Sequence, residues 1–133
     1  MNPHHAQGMR VYAELRGADR AAQMLDRAQG VGAEAAIADL SLEFVFGKVW
    51  SRDGLDRKQR SLVTIAALIA LRQTTELQNH FRIALTNGLS LAEIGEAIVQ
   101  TAPYAGFPAA WTAARVLADM APDGLVAPDI GAD

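Results

Sequence analysis

Apolar residues recur along this chain at three- and four-residue intervals, and β-branched residues nowhere cluster into the alternating runs of a half-buried strand. The spacing predicts a first helix over about Ala6 to Arg16, with Met9, Tyr12 and Leu15 or Arg16 at helical spacing and Gly17 as its stop. A short helix from Asp19 to Ala28 comes next, ending at Gly30. From Glu34 to about Val49, Ile37, Leu40 and Phe44 are read as one apolar stripe, with Phe46 and Val49 beside it. After the loop at 50–55, Asp56 is an expected N-cap, with Gln59 three residues on completing a capping-box pattern. The helix it opens, to about Leu71, is apolar on most faces and is expected at the centre of the core.

A further helix should run from Thr74 or Thr75 to Asn87, stopped by Gly88 in the left-handed conformation. Ser90 with Glu93 forms a second capping box, and Leu89 with Ile94 has the spacing of a hydrophobic staple. Leu91, Ile94 and Ile98 make the buried stripe of that helix, and Pro103 is expected to end or bend it near Thr101. A last helix begins near Pro108 and runs to about Met120, with Ala109, Ala110, Ala113 and Ala114 giving it a smooth face. The sequence from 121 to 133, rich in Pro, Gly and Asp, reads as a tail. The expectation is an all-α bundle of about six helices in a single domain over 1–133, with its core between about 9 and 120.

Composition narrows the function. A net charge of −3 lacks the basic face that nucleic acid requires, and the absence of cysteine removes disulfides, thiolate metal sites and thiol redox chemistry together. The N-terminus has no hydrophobic signal region, and the longest apolar run, Leu62 to Leu71, is about half of what a bilayer crossing needs. A soluble, cytoplasmic protein is expected, with neither membrane nor nucleic-acid partners. Residues 30–35 formally fit a dinucleotide fingerprint, but the segment before them reads as helix where the motif needs a strand.

Few side chains are left to carry chemistry. Glu76 and His80 stand four apart on one helix face, where a carboxylate can orient an imidazole acting as general acid or base. Spacing alone favours the plainer reading, a surface pair or a hydrogen-bonded core histidine. Two such ligands do not make a metal site, the paired Glu-x-x-His pattern of di-iron bundles is absent, and His4 and His5 lie in what reads as a frayed terminus. No metal and no cofactor is therefore expected. Arg52, Arg57, Arg60 and Arg72 flank the central helix; Arg52, in the loop after Trp50, and Arg60, where the helix turns apolar, are the two best placed to grip a carboxylate. Trp50 and Tyr104 border irregular segments and are either pocket walls or core. Ser61 has no base beside it in the sequence and is a weak nucleophile candidate.

Three segments, FGKVWSRDGLDRKQRSLVTIAALIAL from Phe46, ELQNHFRIALTNGLSLAEIGEAIVQ from Glu76 and YAGFPAA from Tyr104, together resemble the carboxymuconolactone decarboxylase family, in its order and with its spacing. The resemblance implies an AhpD-like helical bundle assembled as a homo-oligomer, a trimer or hexamer, with sites near subunit contacts. It makes His80 the family's helix histidine and matches Trp50, Arg52, Arg60, Tyr104 and Gly106 to other characteristic positions. The peroxidases of the same superfamily depend on a Cys-x-x-Cys pair; here its positions hold Gln73 and Glu76. Lys48, the QTTE approach to the histidine helix and Pro103 depart from the decarboxylase pattern.

The activity so implied is cofactor-free decarboxylation of γ-carboxymuconolactone to β-ketoadipate enol-lactone in aromatic catabolism, with His80 and Glu76 catalytic and Arg52, Arg60, Trp50 and Tyr104 binding a small carboxylate or lactone substrate. The alternatives are a related lactone or keto-acid decarboxylase or isomerase, and a non-catalytic helical oligomer of the same fold.

Overall fold

In a computed structural model of the protein, residues 2–120 are described, and every regular element among them is helical. Seven α-helices are joined by short turns: α1 (Pro3–Arg16), α2 (Ala18–Ala28), α3 (Ala33–Leu40), α4 (Arg57–Ala70), α5 (Thr74–Thr86), α6 (Leu91–Ala105) and α7 (Phe107–Asp119). Helix α3 runs on without a break into a π-helical segment, Ser41–Val49. The all-α expectation holds, with more helical pieces than the six or so expected; the expected tail at 121–133 lies outside the described residues. Contacts group the chain into two compact units that divide between Asp56 and Arg57.

In the N-terminal unit, α1 starts earlier than the apolar pattern suggests. The Asn2 side chain accepts the His5 N–H at 2.8 Å, and Pro3 occupies the first turn, where its missing donor costs nothing. Helix α1 packs along the π-helical segment, and α2 packs against α3. The expected stripe of Ile37, Leu40 and Phe44 is not the buried one: these residues are 63%, 55% and 56% exposed. Ala35, Ala38, Leu42, Phe46 and Trp50 face inward instead. Both sets recur at three- and four-residue intervals, and the buried one is that on the side where Gly47 and the Leu42 carbonyl meet the backbone of α1.

The second unit holds α4 to α7 around a core of Ile65, Leu77, Phe81, Ile94, Ala113 and their neighbours. Local signals place its boundaries. Ser90 Oγ accepts the Glu93 N–H at 3.0 Å, and Glu93 Oε1 accepts the Ser90 N–H at 2.8 Å, so both halves of the expected capping box form. Gly88, at φ 99°, ends the turn after α5, and Leu89 and Ile94 are both buried, as the staple requires. At the α6–α7 corner Gly106 adopts φ 100°, a conformation that a side chain strains.

One expectation fails here and another is met in part. Within this chain α4 buries Ser61, Ile65 and Ile69 against α5, α6 and α7, while Val63, on its other side, is 61% exposed. Pro103 does not end α6 near Thr101; the helix continues to Ala105. The proline removes one backbone donor, that to the Val99 carbonyl, without stopping the helix, and the Gly106 N–H closes the last turn on the Ala102 carbonyl at 2.9 Å.

Candidate active site

Helix α5 turns Leu77, His80, Phe81 and Ala84 inward. His80 is only 8% exposed, yet it lies one turn from Glu76, whose side chain is largely in solvent. Its Nε2 is 4.0 Å from Glu76 Oε2, too long for a hydrogen bond and close enough for an ion pair when the ring is protonated. Asn79, a residue the apolar and charge patterns do not single out, donates its Nδ2 to the other Glu76 oxygen at 3.3 Å. Its i, i+3 spacing from Glu76 is the one sequence signal for that contact. The arrangement sets a sheltered imidazole one turn from a solvent-facing carboxylate on the same helix.

The other candidates are distributed over both units. Arg60 projects from α4, half-buried with its Nε inside the protein, and Thr64 Oγ1 donates to the Arg60 carbonyl at 2.8 Å. Tyr104 stands on the last turn of α6 and is 84% exposed, so of the two fates expected for it, packing in the core of this chain is excluded. Trp50 and Arg52 belong to the N-terminal unit. Trp50 is 6% exposed and closes the π-helical segment, its N–H donated to the Val45 carbonyl five residues back at 2.9 Å. Arg52 is exposed in the loop after it. Within the second unit the structure brings Glu76 to His80.

Ser61 is not a nucleophile. It is fully buried, and its Oγ accepts from Asn87 Nδ2 at 2.9 Å, while the same amide reaches the Arg57 carbonyl at 3.3 Å. That pair ties the end of α5 to α4. Nor is the N-terminus frayed around His5: the ring is buried, with Nε2 3.0 Å from Asp39 Oδ1, and it fastens α1 to α3. The helical phase of His5 with Gly8, Val11 and Leu15, all buried, is the sequence signal for this.

Two open grooves in the second unit are lined by none of the candidate residues. One, of about 520 Å³ between α4 and α6, carries Glu93 and Glu96, which repel an anionic ligand. The other, of about 420 Å³ between α6 and α7, is formed by residues such as Val99, Phe107 and Trp111 and offers no counter-charge to a carboxylate. Neither suits a small acid. Among the described residues no helix is long and apolar enough to cross a membrane.

The sequence pattern of the carboxymuconolactone decarboxylase family matches residues 35–119, a span that contains Trp50, Arg52, Arg60, Glu76, His80 and Tyr104. The chain is 34% identical over 125 residues to 4-carboxymuconolactone decarboxylase of Acinetobacter baylyi, covering 94% of this chain and 92% of the relative. The chain belongs to the carboxymuconolactone decarboxylase family. Other relatives match over shorter stretches. Nitrosuccinic acid decarboxylase of Metarhizium robertsii is 46% identical over 70 residues, 53% of this chain and 49% of that protein. An uncharacterized 15.0 kDa protein of Paracoccus denitrificans is 41% identical over 70 residues, 51% of this chain and 52% of that one.

Proposed function

We propose that this family member is a decarboxylase of small acids whose departing carboxylate sits on a carbon conjugated to an electron sink, with γ-carboxymuconolactone as substrate and β-ketoadipate enol-lactone as product, in aromatic catabolism. The observation that carries the reading is near full-length similarity to a named 4-carboxymuconolactone decarboxylase, with His80 sheltered beside Glu76 on α5. The second named relative acts on a different acid, but the chemistry is shared. In nitrosuccinic acid one carboxylate stands on the carbon bearing the nitro group; in the lactone it stands on the γ-carbon, conjugated through the ring double bond to the carbonyl.

In either case the bond to carbon dioxide breaks and its electron pair passes into the sink, as a dienolate or a nitronate. A proton then adds to carbon. The substrate supplies its own electron acceptor, so no cofactor is required for the step. Arg52 and Arg60 hold substrate carboxylates, Trp50 and Tyr104 bound the substrate, and His80 delivers the proton with Glu76 setting its orientation. The exposed apolar side chains Phe44, Val99, Phe107 and Trp111 favour a homo-oligomer, which light scattering would detect and a monomer mass at micromolar concentration would refute.

Burial of His80 among Leu77, Phe81 and Ala84 favours a second reading, a structural histidine in a non-catalytic oligomer. The test is carbon dioxide release from γ-carboxymuconolactone and, in parallel, from nitrosuccinic acid. His80→Ala should lower turnover about 10²–10⁴-fold while the fold survives. Release of no carbon dioxide from either acid would defeat the enzyme reading. Near-normal turnover in His80→Ala, or simple unfolding, would make the histidine structural.

A further inference from the structure

The π-helical segment is the least expected element of the fold. Hydrogen bonds that reach back five residues are uncommon, and such turns are frequent at functional sites. Here the segment ends directly at Trp50, and Arg52 stands two residues later. Its register therefore decides which way Trp50 leaves the helix and where the loop that carries Arg52 starts: rewinding by one residue would turn Trp50 by roughly 100° about the axis.

The contact that can hold this register lies on α1. A Cβ built on Gly8 would fall 1.7 Å from the Leu42 carbonyl oxygen, and one built on Gly47 would fall 2.2 Å from the His4 carbonyl oxygen. Each glycine thus aims the hydrogen that replaces its Cβ at a carbonyl of the opposing helix, a reciprocal Cα–H···O arrangement that no other residue permits. One turn along α1 from Gly8, Tyr12 meets Phe46 edge to face, with ring centroids 4.8 Å apart and planes at 71°. Beyond Gly47, the Ser51 hydroxyl donates to the Gly47 carbonyl at 2.6 Å, closing the end of the segment. Backbone contact on Leu42, Gly47 and a ring on Phe46 grips the segment at three points before Trp50.

We propose that Gly8 is a positioning residue: the backbone contact it allows holds residues 41–49 in π register and so fixes where Trp50 and Arg52 stand. The inference rests on the proposed decarboxylase function only for the substrate role of those two residues; the register itself is independent of it.

Two readouts separate these parts. In a Trp111→Phe background Trp50 is the chain's single tryptophan, and its emission reports its burial. Gly8→Ala should move that emission to longer wavelength. In the same protein KM should rise about tenfold or more with kcat within about threefold, the signature of binding lost equally from ground and transition states. Val11→Ala, a core truncation on the same helix that leaves the glycine contact alone, should leave KM within about twofold and the emission unmoved, although it too destabilises the fold. Unmoved emission in folded Gly8→Ala overturns the proposal. Moved emission with unmoved KM supports it and instead overturns the substrate role of Trp50 and Arg52. If Gly8→Ala does not fold, Asn2→Ala loosens the same end of α1 without a clash, by removing the cap on His5 and the 2.8 Å bond from Asn2 Nδ2 to Glu43 Oε1. A smaller shift in the same direction is expected there, and none overturns the proposal.

Discussion

The tie between Ser61 and Asn87 makes an asymmetric prediction. Ser61 is fully buried on α4, and its hydroxyl accepts from Asn87 Nδ2 at 2.9 Å; Asn87, at the end of α5, is half-exposed and also reaches the Arg57 carbonyl at 3.3 Å. Ser61→Ala removes one hydrogen bond, worth about 1 kcal/mol, and also the burden of burying a hydroxyl. The amide it abandons keeps a second acceptor and access to water, so the cost should be at most about 1 kcal/mol. Asn87→Ala leaves the Ser61 hydroxyl without that partner where water does not reach, a penalty of about 1–3 kcal/mol. The double variant has no orphan, so it should cost less than the sum of the singles by about 1 kcal/mol. Urea unfolding resolves this, since 1 kcal/mol moves the midpoint of a small protein by roughly 0.3–1 M. Equal costs for the two singles, with a double variant equal to their sum, would refute the reasoning.

Other variants have equally definite expected outcomes. Phe81 is fully buried in the core of the second unit, so Phe81→Ala should destabilise by about 3–5 kcal/mol in the same denaturation assay. Ser90→Ala should cost about 1 kcal/mol by opening the capping box of α6. The backbone N–H of Ser90 holds the Glu93 carboxyl below its ordinary value of 4.5; desolvation opposes it, and the Ser90 side chain and the Lys58 charge add smaller downward contributions. A depressed carboxylate stabilises the fold above its unfolded pKa and loses that contribution as pH falls through its folded pKa. Glu93→Gln should therefore be less stable than the parent at neutral pH, and the difference should shrink in acid; a difference independent of pH between neutrality and about pH 2 would contradict this. Glu76→Gln should lower turnover less than His80→Ala, because the proton donor remains and only its orientation changes; steady-state kinetics on the two variants decide it.

What the sequence determined by itself was local. Ser90 and Glu93 close a box within one turn, Gly88 and Gly106 take conformations that other residues resist, and Asn2 with Pro3 is a capping signal of the same kind, although the apolar pattern starts α1 later. Each depends on hydrogen bonds or dihedral angles spanning at most a few residues, so the elements of the second unit could be placed with boundaries close to those observed, the end of α6 excepted. The Glu76–His80 pair was legible for the same reason: four residues on a helix bring two side chains together in any context.

Only tertiary structure decided which faces are buried. Ile37, Leu40 and Phe44 make as good a helical stripe as Ala38, Leu42 and Phe46, and the choice between them falls to α1, whose backbone lies against the π-helical segment through Gly8 and Gly47. Helix α4 reads as central from its apolar content, yet its neighbours cover one side and leave Val63 outside. His5 reads as a terminal residue until Asp39, thirty-four positions away, is brought to its ring. Ser61 reads as a free hydroxyl until Asn87 is brought to it. In each case the deciding partner lies on another helix, and periodicity along one helix holds no information about which of its faces that partner will cover.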